Sequence, residues 1–161
     1  MGLTFADIKL TNSEDLALLH KGYIQEQEVR SIWVNALVDT GASMLTIPKS
    51  IQDQLNLPKV DEQRVELGNG SVITVDVVGP VEIRFENRMA IVTAVFIPEE
   101  IEVLLGAIPL QSMDVLVDPR QERLIVNPQS TDKARIFFEG IEKMLSLGKL
   151  QELKKNDEEN S

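Results

Sequence analysis

The segment Ala36-Leu37-Val38-Asp39-Thr40-Gly41-Ala42 constrains this chain more than any other. An apolar run that ends in a carboxylate demands a particular setting. Taking an ionised group out of water is costly unless hydrogen bonds or a second charge offset the loss. The run reads as a strand, with Ile32, Val34, Ala36 and Val38 sharing one face, that delivers Asp39 into a tight turn completed by Thr40, Gly41 and Ala42. A carboxylate held in this way is placed to hold and activate water. The plainer alternative is a turn aspartate that bonds its own backbone, because Asp-Thr-Gly is favourable turn chemistry.

The segments that follow predict β structure. Aromatic residues make up only 4% of the chain, so a core must be built from Val, Ile and Leu, which suits strands. Gln63–Leu67 and Val72–Val78 alternate as two strands around Gly68-Asn69-Gly70-Ser71, residues that favour a hairpin tip. A further strand is expected after Gly79-Pro80, with Val81, Ile83 and Phe85 on one face, and Asn87-Arg88 turns it into Met89–Ile97. Ser43–Ile47 predicts a short strand and Lys49–Leu55 a short helix behind Pro48. Val103–Gly106 predicts a buried strand and Ile108–Met113 a second short helix. Val115–Val117 and Leu124–Val126 predict strands either side of the Asp118-Pro119-Arg120 turn.

The two ends have a different character. Thr4–Leu10 predicts an edge strand, and Thr11–Glu28 a polar loop with at most a helical turn. Thr131–Leu153 places Phe137, Ile141, Met144, Leu145 and Gly148 at helical spacing, expected to dock on the domain or at a dimer interface. Lys154–Ser161 reads as a disordered tail. The expected organisation is an N-terminal extension over residues 1–30, one domain over 31–128 and a helical C-terminal extension over 129–161.

Charge and composition exclude several functions. Twenty-six acidic against sixteen basic residues give a net charge of −10, which repels phosphate backbones and argues against nucleic-acid binding. The absence of cysteine removes disulfides, thiolate metal sites and a cysteine nucleophile, and suits a reducing compartment. No apolar run approaches the ~20 residues that span a bilayer, and the amino terminus lacks a secretory pattern. A cytoplasmic protein is expected. His20 is the single histidine, so a multi-histidine zinc site is excluded; its polar segment has no recognisable nucleophile elbow, which argues against a serine-protease triad, and it reads as a surface residue. Trp33 and Tyr23 read as packing residues, and Asp114, just before a strand, and Asp118, in a turn, as solvated aspartates.

Asp39-Thr40-Gly41-Ala42 behind an apolar run matches an active-site signature that would arise by chance in a chain this long about once in a thousand cases. Downstream lies a second element, Val103-Leu104-Leu105-Gly106, with the Gly68–Ser71 hairpin between the two. In this order the elements resemble the retroviral-type, single-domain aspartic proteases and especially their small bacterial relatives, over about Ile32–Pro128. The resemblance implies an all-β retropepsin-like acid-protease fold with one or two short helices. It implies that Asp39 is the catalytic carboxylate, with Thr40 bracing the site across a dimer axis. Gly41 and Ala42 complete the turn, and Leu105 and Gly106 pack beneath it. Gly68, Asn69, Gly70 and Ser71 would tip a substrate-covering flap.

The chemistry of the residues agrees. Hydrolysis of a peptide without metal or covalent intermediate needs a base for water and an acid for the carbonyl. One aspartate cannot serve as both. Two carboxylates about 3 Å apart share a proton because both cannot ionise cheaply, as in the dyad that is the standard worked example of this effect. With one Asp-Thr-Gly per chain, an active enzyme is expected to be a homodimer acting on peptides or unfolded protein, with no metal or organic cofactor. The rival reading is an inactive module of the same fold that binds peptide or protein, and a third is a structural subunit assembled through its C-terminal helix.

Overall fold

The computed structural model describes residues 2–136, 138 and 140–160. Strand β1 (Phe5–Asn12) runs directly into helix α1 (Ser13–His20), and a 3-10 turn (Glu26–Glu28) leads to β2 (Ser31–Val38). Then follow β3 (Leu45–Pro48), α2 (Lys49–Leu55), β4 (Lys59–Glu66), β5 (Val72–Phe85), β6 (Arg88–Ile97) and β7 (Leu104–Leu105). The chain ends with α3 (Ala107–Met113), β8 (Val115–Asp118), β9 (Arg123–Val126) and α4 (Ile141–Glu159). The protein is β-dominated, one domain with a helix at its C-terminal end.

Strand pairing closes on itself. β1 pairs with β2, β2 with β7, β7 with β3, β3 with β6, β6 with β5, and β5 returns to β1. The ring encloses an aliphatic core in which Ile8, Leu10, Ala36, Leu45, Ile47, Val81, Ile83 and Leu105 are fully buried. Each of these Val, Leu and Ile side chains contributes about 1.5–3 kcal/mol relative to exposure.

β1 is therefore an interior strand, not the expected edge. It pairs antiparallel with β2 along Phe5–Thr11 and with β5 along Lys9–Asn12, and meets β9 at Phe5↔Arg123. Its own sequence explains this, since Ala6, Ile8 and Leu10 are all buried. The expected break at Gly79-Pro80 is likewise absent: β5 is one 14-residue strand with a bulge between Val78 and Val81. Gly79 takes φ +150 there, and a side chain at this position would sit 3.1 Å from the Thr93 backbone. Pro80, with no N–H to offer the ladder, occupies the irregularity where none is needed.

α1 is a third short helix that the polar reading of Thr11–Glu28 understated. Asn12 caps it, accepting from the Asp15 N–H at 3.1 Å, and its amide donates to the Leu55 carbonyl, tying β1 to α2. α2 matches its expected bounds. Ile51 and Leu55 are its buried residues, and Asn56 ends it in the left-handed region. Trp33 and Tyr23 are 65% and 75% exposed, not packed. Trp33 has the opposite parity to Ile32 and Val34 on β2 and so falls on the outer face.

Two aspartates hold the periphery. Asp15, only 4% exposed, accepts from the Arg30 backbone N–H and from Nε and Nη2 of its guanidinium. Asp114, expected to be solvated, follows α3 in the left-handed region and accepts from the Asn127 side-chain amide, the Ser130 hydroxyl and the Arg135 N–H. The Arg30 hydrogen bond lowers the Asp15 pKa. The Asn127 hydrogen bond, then those from Ser130 and Arg135, lower that of Asp114 to about 2.

A depressed carboxyl pKa contributes stability that is complete above the unfolded value of ~3.9 and is lost as pH falls through the folded value. Stability is therefore expected to decline from about pH 4 to about pH 2, with Asp114→Asn flattening part of that decline. Melting curves from neutral to acid pH check it, and equal acid slopes for the two proteins would refute the assignment.

α4 is not docked on the domain, one of the two settings expected for it, and its residues are all exposed. Ile141, Met144, Leu145 and Gly148 share one side, but Leu147, Leu150 and Leu153 fall elsewhere around the helix, so no single apolar stripe exists to dock. The helix starts at Ile141 and continues through the expected disordered tail as far as Glu159. Phe137, expected in this stripe, lies outside the described residues.

Candidate active site

β2 carries Asp39 to the mouth of the barrel. The Leu37 N–H donates to Val103 O at 2.8 Å and the Asp39 N–H to Leu105 O at 3.0 Å, so the strand end is clamped in parallel register to β7. The turn then closes on itself. The Ala42 N–H donates to Asp39 O at 3.1 Å and the Gly41 N–H to Asp39 Oδ1 at 2.9 Å. One carboxylate oxygen is thus oriented by the backbone, and Oδ2 meets no donor among the described residues. Asp39 is half-buried, and Thr40 and Gly41 are exposed.

Gly106 explains why the second element sits where it does. A side chain at this position would lie 2.4 Å from Met44 O, 2.7 Å from Ala42 O and 2.8 Å from Met44 N. Only glycine lets the end of β7 pass this close beneath the loop that continues the Asp39 turn. The first two N–H groups of α3, which have no partner within a helix, donate to this loop: Ala107 to Ala42 O at 2.8 Å and Ile108 to Ser43 O at 2.9 Å.

Above the turn stands the β4–β5 hairpin, registered Val65↔Ile73 and Glu66↔Val72. Its tip is braced internally. The Leu67 N–H donates to Ser71 O and the Gly70 N–H to Leu67 O, and Asn69 Oδ1 accepts from both the N–H and the hydroxyl of Ser71. Gly70 takes φ +84, which a residue with a side chain would adopt only under strain.

Between hairpin and turn lies a cleft of about 580 Å³. Asp39, Gly41, Ala42 and Gly68 line it. Thr40, Asn69, Gly70, Ser71, Leu105 and Gly106 do not; the last two act from beneath. The motif reading missed the walls. Met44, Val65, Ile73, Val95, Ile97, Ile101 and Leu104 give the cleft an aliphatic part, and Gln63, Arg64 and Glu66 of β4 add polar and charged groups beside Asp39. The alternation of β6, which puts Val95 and Ile97 on one face, was the signal available in the sequence. Among the described residues no cluster of three or more His, Cys, Asp or Glu could hold a metal ion, and no helix is long and apolar enough to cross a membrane.

A closed aliphatic barrel that presents Asp-Thr-Gly to a hairpin-covered cleft, with a Leu-Leu-Gly segment under the turn, defines an aspartic protease of the retropepsin-like kind. A family model described as aspartyl protease matches residues 24–107, and the chain belongs to that family. The match runs through the Asp39 turn, the hairpin and Gly106, while β1, α1, β8, β9 and α4 lie outside it. No curated protein matches the chain.

Proposed function

We propose that this protein is an aspartic endopeptidase in which Asp39 and its counterpart from a second copy form a water-activating pair. The observation that carries the reading is the oriented, half-buried Asp39 in the cleft beside the hairpin. It is fixed through Oδ1 by the Gly41 N–H, and its Oδ2 meets no donor among the described residues. In the resting pair one carboxyl is protonated and one is not. The ionised member takes a proton from water as it attacks the peptide carbonyl, and the protonated member donates to the carbonyl oxygen. The two then exchange roles to protonate the departing amine. The pH optimum belongs to the pair, with a bell-shaped profile.

The β4–β5 hairpin, with Gly68–Ser71 at its tip, covers an extended peptide in this reading, and Val65 and Ile73 contact its side chains. Thr40, exposed at the turn, lies where it can meet the second copy. A chain that carries no cysteine and needs no disulfide suits the cytoplasm, the compartment we propose.

The dimer is tested by concentration dependence. Specific activity is expected to fall on dilution in parallel with the dimer fraction seen by sedimentation. A monomer that retains full activity would overturn the shared pair. A dimer that cleaves no member of a peptide library, yet binds one saturably, would replace the enzyme with a peptide-binding module.

A further inference from the structure

Helix α3 is tethered at both ends, and its two tethers lead to different parts of the molecule. At its start, Ala107 and Ile108 donate to the carbonyls of Ala42 and Ser43, in the loop that continues the Asp39 turn. At its end, Asp114 is held in the left-handed region, an uncommon conformation for a residue with a side chain. All three donors to its carboxylate come from the segment 127–135: Asn127 Nδ2, Ser130 Oγ and Arg135 N. The Asp114 carbonyl accepts from the Asn127 N–H as well.

The same segment is fastened on its other side to the β5–β6 turn. Asn87 Nδ2 donates to Thr131 O at 2.8 Å, and Arg88 Nη2 donates to Ser130 O. Arg88 is 1% exposed, and its Nε and Nη1 have no partner among the described residues. A buried guanidinium with two unanswered nitrogens is costly, and its charge is the smallest of the effects that lower the Asp114 pKa. Residues 127–135 thus form a strap that closes over Arg88 and grips the end of α3. Between the two tethers, Pro109, Leu110 and Met113 are buried, so α3 has little freedom to flex.

We propose that Asp114 is a positioning residue for the Asp39 turn: the strap fixes Asp114, Asp114 fixes α3, and α3 acts as a strut that holds the Ala42–Ser43 loop. The proposal rests on the protease reading for its effect on turnover, and on geometry alone for the strut. Asp114 touches neither the cleft nor Asp39. Its removal acts by letting the far end of a seven-residue helix shift.

The test uses the full chain with Asp114→Ala, Ser130→Ala and, as a remote control, Asp15→Ala, whose ion pair with Arg30 lies beside α1. Two quantities are read: kcat and KM on a cleaved peptide, and amide hydrogen exchange at Ala107 and Ile108. Asp114→Ala is expected to lower kcat at least about tenfold with KM changed less than about twofold, and to speed exchange at both amides at least about tenfold. Ser130→Ala shifts both in the same direction by less. Asp15→Ala lowers the melting temperature without altering exchange at those amides.

Wild-type exchange at Ala107 and Ile108 in a folded Asp114→Ala protein would overturn the strut. So would a kcat loss no greater than that of Asp15→Ala. Should Asp114→Ala not fold, Ser130→Ala with Asn127→Ala gives the same two readings. If the wild-type protein cleaves no peptide, the exchange result still decides the strut, separately from the protease reading.

Discussion

Asp39→Asn is expected to lower kcat by at least about a thousandfold while the protein folds as before, since the acid–base function is lost outright. The asparagine keeps a side-chain oxygen where Oδ1 accepts from the Gly41 N–H, so the turn retains its internal bond. What it loses is the ability to take up a proton and to share one with a second carboxyl. Mixing variant and wild-type chains sharpens the test. With random pairing of equal amounts, about a quarter of dimers carry two aspartates, so activity falls to about a quarter, whereas independent protomers would keep about half. A variant that cleaves as well as the wild type would remove Asp39 from the mechanism. The half-activity result would remove the pair.

The second large effect is expected from Gly106→Ala. The added methyl would lie 2.4 Å from Met44 O and 2.7 Å from Ala42 O. Both are backbone atoms that cannot swing aside as a side-chain tip can. Relief requires moving either the end of β7 or the loop behind Asp39, at a cost of about 3 kcal/mol or more. Either movement also displaces the Ala107 and Ile108 hydrogen bonds to that loop, so cleavage falls together with stability. Gly68→Ala is the matched control, because nothing lies within 4 Å of where its methyl would project. Denaturant melts of the two variants, and a cleavage assay of Gly106→Ala against the wild type, decide it. A Gly106→Ala protein as stable as Gly68→Ala would show that close packing under the turn is not what fixes glycine there.

The sequence made the barrel legible wherever local chemistry and tertiary setting agree. The alternation of Ile32, Val34 and Ala36 into Asp39, the Pro48 start of α2 and the hairpin glycines each specify their conformation locally, and each stands in the structure. The failures share a cause. β1 reads as an edge from its own residues because its pairing with β5 and β9 is decided by residues about seventy and more than a hundred positions away.

Gly79-Pro80 resembled a strand break because both residues weaken a ladder, yet a bulge accommodates them without ending the strand. Asp114 looked solvated because its donors, Asn127, Ser130 and Arg135, carry no motif. Of the cleft, the turn and hairpin could be named in advance, since they have distinctive residues. The walls built from Met44, Val95, Ile97, Ile101 and Leu104 could not, because an aliphatic residue announces burial but not which neighbour it meets.

The place of β1 bears on how the molecule is made. This strand is the first to be synthesised. Of its partners only β2 follows closely; β5 comes once Val81–Arg84 have been made, and β9 with Arg123. The ring cannot close around the aliphatic core until β6 and β7 are also in place. The nascent chain therefore carries Ala6, Ile8 and Leu10 without their final neighbours for most of its synthesis, as expected for a topology rich in distant contacts. The Asp39 turn is clamped by Leu105 and Gly106, so it too takes shape only when most of the chain has emerged. A protease assembled in this order forms its site only after the chain has been made through Gly106.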